Sequence, residues 1–171
     1  MSSARDAERR RRRAELVAFA DAARLDVAFV EHLSSALPGY LEEARRGSEA
    51  AMLGTVKALE NVSDAFEDLA RRIETTFTAM PQGAEWQREL LAGLARPRAG
   101  LRPAVLDAGT VRLWDDFRAF RHFGRHRVYR NGASPRLGAE KVAALPAATL
   151  RLRGDVERFL AAVDREIRAL E

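Results

Sequence analysis

The sequence predicts an all-α protein, an up-and-down helical bundle of four to five long helices. Ala, Leu, Arg and Glu dominate the composition, and their side chains lose little rotamer freedom on a helical backbone. Apolar residues recur every three or four positions over long stretches, and no stretch alternates as a strand does. The chain has 171 residues, so we expect positions 1–171 to form one helical domain.

The first predicted helix runs from about residue 4 to residue 37. We expect Pro38 and Gly39 to end it, since proline cannot donate a backbone hydrogen bond. The run of five arginines at 9–13 has two interpretations, a solvated helix end or a contact with an anionic partner. The apolar positions that define the helix are Leu16, Phe19, Ala20, Ala23, Val27, Val30 and Leu33.

The second segment, from about 40 to 80, has the clearest helical period in the sequence. We expect Gly47 and Ser48 to divide it into a short and a long helix, and the residues around Gly83 to end it. A shorter helix follows at about 85–94. The core-facing positions of the long helix are Met52, Val56, Leu59, Val62, Phe66, Leu69, Ile73 and Phe77.

Prolines and glycines between 96 and 109 indicate an ordered connection. A further helix is predicted over about 110–130, followed by a turn at 131–135. The last helix covers about 139–170, and we expect Pro146 either to kink it or to begin it. These helices complete the bundle.

Composition excludes several classes of protein. The chain has no cysteine, which rules out disulfides, thiol catalysis and cysteine-bound zinc. No apolar run approaches the roughly 18 residues that span a bilayer, so we expect no membrane contact and a cytoplasmic location. The formal net charge is +4, and Lys57 and Lys141 are the only lysines. Arginine suits phosphate binding, but a GC-rich genome also favours it, so charge alone leaves nucleic-acid binding open.

The densest group of chemically active residues lies between Trp114 and Tyr129. Basic groups interleaved with aromatic rings suit single-stranded RNA, where charge follows phosphates and rings stack on bases. Helical spacing instead favours a core position for Trp114, Phe117 and Phe120. The basic members of the segment are Arg118, Arg121, His122, Arg125, His126 and Arg127.

Histidine and arginine together supply what RNA cleavage by the adjacent 2′-hydroxyl requires. A histidine can transfer the proton near neutral pH, and an arginine stabilises charge on the phosphate. His122 and His126 also have the spacing of two metal ligands, but no third ligand accompanies them. We therefore expect neither a metal nor another cofactor.

Arg121 and His126, with four residues between them, fit the Arg-x4-His pattern of the HEPN superfamily. The surrounding Phe120-Arg121-His122-x-x-Arg125-His126 resembles the corresponding segment of HepT-like proteins. The stretch from Ala58 to Arg71 resembles the long second helix of that family, and Pro81 to Leu91 resembles its next helix. The resemblance covers about residues 40–130.

The resemblance implies a homodimer in which the Arg-x4-His segments of two chains face a shared cleft. Carried over, Arg121 and His126 are the catalytic pair of a metal-independent ribonuclease toxin. Arg118, His122, Arg125 and Arg127 would bind the RNA substrate, with Glu60 and His122 as accessory or merely structural groups. The expected partner is a nucleotidyltransferase antitoxin of the MNT type.

One position departs from the family pattern. HepT toxins carry a tyrosine two residues after the histidine, which the antitoxin adenylylates. Here that position holds Val128, and Tyr129 follows one residue later. Tyr129 is therefore the expected modification site if this control operates. The alternative is a non-catalytic HepT-like helical protein that binds a nucleotidyltransferase or a nucleotide.

Overall fold

The computed structural model describes residues 2–123 and 135–171, and within them the side chains of 3–119 and 140–171. These residues form five helices and contain no strand, which confirms the all-α prediction. Four of the helices are long, and the third has nine residues. The helices are α1 (Ser2–Arg45), α2 (Glu49–Phe77), α3 (Trp86–Leu94), α4 (Ala108–Phe123) and α5 (Pro135–Ala169).

Contacts between the long helices establish the up-and-down arrangement. α1 and α2 are antiparallel, since Phe19 near the start of α1 meets Phe77 at the end of α2. α1 and α5 are also antiparallel, because Arg24 pairs with Asp164. Phe66 on α2 stacks on Trp114 of α4, and α3 contacts both of these helices.

The core lies where the four long helices converge. Three phenylalanines, Phe19, Phe77 and Phe159, meet edge to face with ring centroids 5.2 to 6.1 Å apart. Such pairs add about 0.5–1.5 kcal/mol to the effect of burial. The predicted stripe of α2 is buried except Met52, which is half-buried. The α2 periodicity therefore identified the core face correctly.

The prediction that Pro38 ends the first helix is wrong. α1 continues through Pro38 to Arg45. Leu37 is fully buried and Leu41 packs against the core. A proline inside a helix costs roughly 3 kcal/mol, whereas full burial of Leu37 contributes about 1.5–3 kcal/mol and the half-buried Leu41 adds to it. Packing against α2 therefore outweighs the local signal.

The predicted break at Gly47 and Ser48 is confirmed, but the separate short helix expected before it is wrong, because residues 40–45 continue α1. Gly47 has φ +94°, and its N–H donates to the carbonyl of Ala44 at 3.0 Å. The Ser48 N–H reaches the carbonyl of Glu43, which completes a Schellman end to α1. Ser48 then caps α2 by accepting the N–H of Ala51 at 3.1 Å.

The arginine run contacts the chain itself. Arg9 donates to the carbonyl of Ala169 at the end of α5. Arg12 and Arg13 pair with Glu166 and Glu171 at 3.4 and 2.9 Å. Carbonyl groups at a helix C-terminus attract positive charge, so these contacts fasten α1 to α5.

The last helix starts earlier than its sequence pattern predicted. α5 begins at Pro135, and Pro146 lies inside it rather than at its start. Proline is favoured at a first helical position because its missing N–H has no partner there. In the described part of the chain, no helix is long and apolar enough to cross a membrane.

Candidate functional site

The start of α4 is fixed by two carboxylates. Asp107 caps the helix, and its carboxylate accepts the N–H of Thr110 at 2.7 Å. That hydrogen bond lowers the pKa of Asp107. Buried Asp155 on α5 accepts the N–H of Asp107 at 2.9 Å. The register of α4 against α5 is therefore set before the helix reaches its basic end.

The inward face of α4 is aromatic. Trp114 and Phe117 are 1% and 2% exposed, so their predicted core positions are confirmed. The side chain of Phe120 lies outside the described part. Trp114 stacks on Phe66 with centroids 4.2 Å apart and rings 18° from parallel. This stack holds α4 against α2 and directs the next turn of α4 toward a polar part of α2.

A small cavity lies beside this stack, between α2, α3 and α4. Its volume is about 20 Å³, which is room for one water molecule. Ser63, Glu67, Gln87 and Arg118 supply its polar groups, and Gln87 donates to Glu67 at 2.8 Å. The cavity is therefore too small for a nucleotide.

Arg118 belongs both to this cavity and to the predicted RNA-binding group. Its side chain is 30% exposed, and its Nε donates to Asp115 at 2.7 Å. A phosphate that binds Arg118 competes with Asp115 for the guanidinium. Arg118 is the one member of the predicted catalytic and RNA-binding set whose side-chain contacts fall within the described residues.

No sequence pattern indicates that Lys141 lies beside α4. Its ammonium is 4.0 Å from the Asp116 carboxylate and 5.9 Å from the centre of the Phe117 ring. Lys141 is on α5, and the predicted turn separates it from α4 in the sequence. It adds a cation to the surface that α4 presents.

Glu60, the acidic accessory candidate, is almost completely buried on α2. Its side chain is 4% exposed, and one carboxylate oxygen is 3.4 Å from the ammonium of Lys57. The other oxygen has no hydrogen-bond partner among the described residues. Ser63, which lines the cavity with Arg118, is about one turn further along α2. Phe66 stacks on Trp114, and Ser63 shares the cavity with Arg118, so α2 and α4 run antiparallel. Glu60 therefore lies toward the C-terminal end of α4.

The remaining predicted site residues are not placed by the described structure. Arg121 and His122 lie on α4, but their side chains are outside the described part. Arg125, His126, Arg127 and Tyr129 lie wholly outside it, within 124–134. Among the described side chains, no three potential metal ligands converge.

Comparison with known proteins identifies the family. A family model described as HepT-like protein matches residues 54–163, which is more than half of the chain. The match runs from α2 into α5 and includes the positions of Arg121 and His126. No curated protein and no solved structure matches the chain. The chain belongs to the HepT-like protein family.

Proposed function

We propose that this protein is the toxin of a toxin–antitoxin pair and a metal-independent endoribonuclease. Arg121 and His126 form its catalytic pair. The observation that carries the proposal is that the family match spans the Arg-x4-His segment. Trp114 and Phe117 anchor α4 in the core, which leaves its outer surface and basic end for a substrate.

The proposed reaction is an internal transfer at phosphorus. The RNA 2′-oxygen attacks the adjacent phosphorus, the bond from phosphorus to the 5′-oxygen breaks, and a 2′,3′-cyclic phosphate forms. A histidine takes the proton of the 2′-hydroxyl, and a proton is delivered to the departing 5′-oxygen. Arg121 stabilises the charge on the phosphate oxygens. No water is consumed in this step.

Two protons move in this reaction, whereas one chain supplies one His126. A two-fold dimer would bring a second His126 to the same cleft. Arg118, His122, Arg125 and Arg127 would hold the RNA on either side of it. Arg118 keeps partial exposure while paired with Asp115, which suits a group that exchanges one anion for another.

Purified protein and a long single-stranded RNA test the proposal. We expect wild-type protein to leave 2′,3′-cyclic phosphate and 5′-hydroxyl ends, with equal activity in a chelator. Arg121→Ala and His126→Ala should each lose at least a hundredfold in rate. Arg112→Ala is the matched control, since Arg112 is an exposed arginine on the same helix with no assigned role. Full activity in His126→Ala would overturn the mechanism.

The second candidate is a non-catalytic HepT-like protein that binds a nucleotidyltransferase or a nucleotide. Val128 favours it, because the family's modified tyrosine is missing from that position. This candidate predicts no cleavage by wild-type protein, together with stable binding of a co-expressed nucleotidyltransferase. Inducible expression separates the two, since only a ribonuclease arrests growth in a manner that depends on Arg121 and His126.

A further inference from the structure

α1 has a second apolar face that points away from the bundle. Leu25 and Phe29 are 71% and 54% exposed. The core-facing residues of α1 lie on the opposite side, against α2 and α5. On an ideal helix, the outward residues fall within an arc of about 80°. We call this set the outer face, and its residues are Ala18, Ala22, Leu25, Phe29, His32 and Ala36.

The outer face is nearly symmetric about Val27 in the sequence. Leu25 and Phe29 lie two residues on either side of it. Ala22 and His32 lie five residues away, and Ala18 and Ala36 lie nine away. If a second α1 packs antiparallel across this point, each residue meets its counterpart from the other chain. Leu25 of each copy then packs on Phe29 of the other at the centre, Ala22 meets His32, and Ala18 meets Ala36.

Two charged residues toward the ends of α1 follow the same symmetry about Val27. Arg11 and Glu43 lie sixteen residues on either side of Val27, near the same side of α1. Arg11 is 71% exposed and pairs with Glu8 and Glu15 of its own helix at 3.3 and 3.5 Å, so a contact with Glu43 of another copy would replace or share these pairs. Glu43 is also exposed. In the antiparallel arrangement, each Arg11 comes opposite the Glu43 of the other copy, so two opposite-charge contacts close the ends. A parallel arrangement would instead place like charges together.

The size of the strip is sufficient for a weak interface. From Arg11 to Glu43 the helix extends about 48 Å, and its width is about 10 Å. Two such strips bury on the order of 1,000 Å² in total, the lower end for specific interfaces. Packed helices lie about 8–10 Å apart, and the alanines that flank Leu25 and Phe29 permit a distance within that range. We expect self-association at tens of micromolar protein.

We propose that the outer face of α1 is a self-association surface for a second copy of this chain, with the two α1 helices antiparallel about Val27. This surface is separate from α4, which carries Arg121. It lies on the side of α1 away from α2 and α5, whereas α4 packs on α2, α3 and α5. The inference therefore stands independently of the proposed catalytic activity.

Engineered cysteines test the register directly, because the chain has no cysteine of its own. The proposal places Ala18 of one copy opposite Ala36 of the other, close enough for a disulfide. A mixture of the Ala18→Cys and Ala36→Cys proteins should form covalent dimers under mild oxidation. Either variant alone should not, since identical positions in the two copies lie about 27 Å apart along the helices. Equal cross-linking in the single variants, or none in the mixture, would overturn the antiparallel register.

Light scattering at tens of micromolar then tests the surface itself. Leu25→Glu and Phe29→Glu should each halve the mass of the wild-type assembly, whether that assembly contains two or four chains. Leu150→Glu is the matched control, because Leu150 is 70% exposed on α5, and its mass should not change. Arg11→Glu should weaken association several-fold, and adding Glu43→Arg should restore it. An unchanged mass in both Leu25→Glu and Phe29→Glu would refute the proposal. The same holds when the mass is measured with a nucleotidyltransferase bound to the protein.

Discussion

A guanidinium nitrogen of Arg102 lies 2.6 Å from a carboxylate oxygen of Glu74, and neither side chain is more than 1% exposed. Arg98 reaches the other carboxylate oxygen at 3.0 Å. Arg102 also donates to the carbonyls of Gly93 and Arg96. These contacts fasten the connection between α3 and α4 to the end of α2.

The first prediction concerns the stability of this ion pair. Glu74→Gln leaves the buried Arg102 charge without a counter-charge, which should lower the free energy of unfolding by about 3–5 kcal/mol. Arg98→Ala should cost less than about 1 kcal/mol, since Arg98 is 43% exposed and Arg102 still pairs with Glu74. Urea unfolding measures both. Equal losses in the two variants would contradict the assigned role of Arg102.

The second prediction concerns pH. Burial alone would raise the pKa of Glu74, but hydrogen bonds from Thr78, Arg102 and Arg98 outweigh it and hold the pKa below its usual 4.5. A carboxyl with a lowered folded pKa stabilises the protein fully above its unfolded pKa. That contribution is lost as the pH falls through the folded pKa. Wild-type protein should therefore lose stability more steeply below pH 4.5 than Glu74→Gln. Parallel unfolding curves from pH 6 to pH 2 would oppose this.

These residues show how far sequence reasoning extends. The helical period of α2 predicted its buried face because the pattern is local and repeated over many turns. Pro38 was misjudged because its local cost is exceeded by the burial of Leu37 and Leu41, which depends on another helix. The pairing of Glu74 with Arg102 had no sequence signal, since the residues are 28 positions apart and joined only by the fold.

In the candidate site too, local spacing predicts some features, and others depend on how distant helices pack. The spacing of Trp114 and Phe117 predicted their burial, because both follow the helical period of α4. The proximity of Lys141 to Asp116 could not be predicted, because it depends on how α5 returns along α4. The Arg121 and His126 assignment rests on the motif and the family, and it remains a prediction.

The third prediction compares Gly39, which lies within α1, with Gly47, which follows the end of α1. A Cβ at either Gly39 or Gly47 would meet nothing within 4 Å, so backbone conformation alone decides the effect. Gly39 lies within the helix, and Gly39→Ala should stabilise by up to about 1 kcal/mol. Gly47 has φ +94°, and Gly47→Ala should destabilise by about 1 kcal/mol or more. Thermal unfolding should show midpoints that move in opposite directions. Midpoint shifts of the same sign in the two variants would show that α1 does not end with Gly47 at positive φ.

The fourth prediction concerns RNA binding by Arg118. If Arg118 contacts a phosphate, Arg118→Ala should weaken binding similarly for all sequences. It should also reduce the slope of log affinity against log salt by about 0.7 for a single strand. Arg112→Ala provides the control on the same helix and should leave the slope unchanged. The measurement is a fluorescence titration at several salt concentrations with the catalytically inactive His126→Ala protein. An unchanged slope in Arg118→Ala would remove Arg118 from the RNA-binding group.

The last prediction concerns control by the nucleotidyltransferase partner. An adenylyl group beside the catalytic histidine would add bulk and negative charge, which would repel RNA phosphates. The chain has two tyrosines, and Tyr129 is the one near the motif. A shift of one residue turns a helical side chain by about 100°, so a helix continuing through Val128 would carry Tyr129 away from the family's modified position. If the helix ends before the turn that Gly132 predicts, this rotation no longer fixes the direction of Tyr129. We therefore expect adenylylation at Tyr129.

Intact-mass analysis after co-expression with a cognate nucleotidyltransferase and ATP measures this modification. Wild-type protein should gain adenylyl mass, and Tyr129→Phe should not. Tyr40→Phe is the matched control, because Tyr40 is 45% exposed on α1 and is therefore open to the enzyme. Loss of the added mass in Tyr40→Phe would assign the site to α1 instead. An unmodified protein that is still inactivated would show that the partner inhibits by binding alone, since occupying the cleft blocks RNA without a covalent bond.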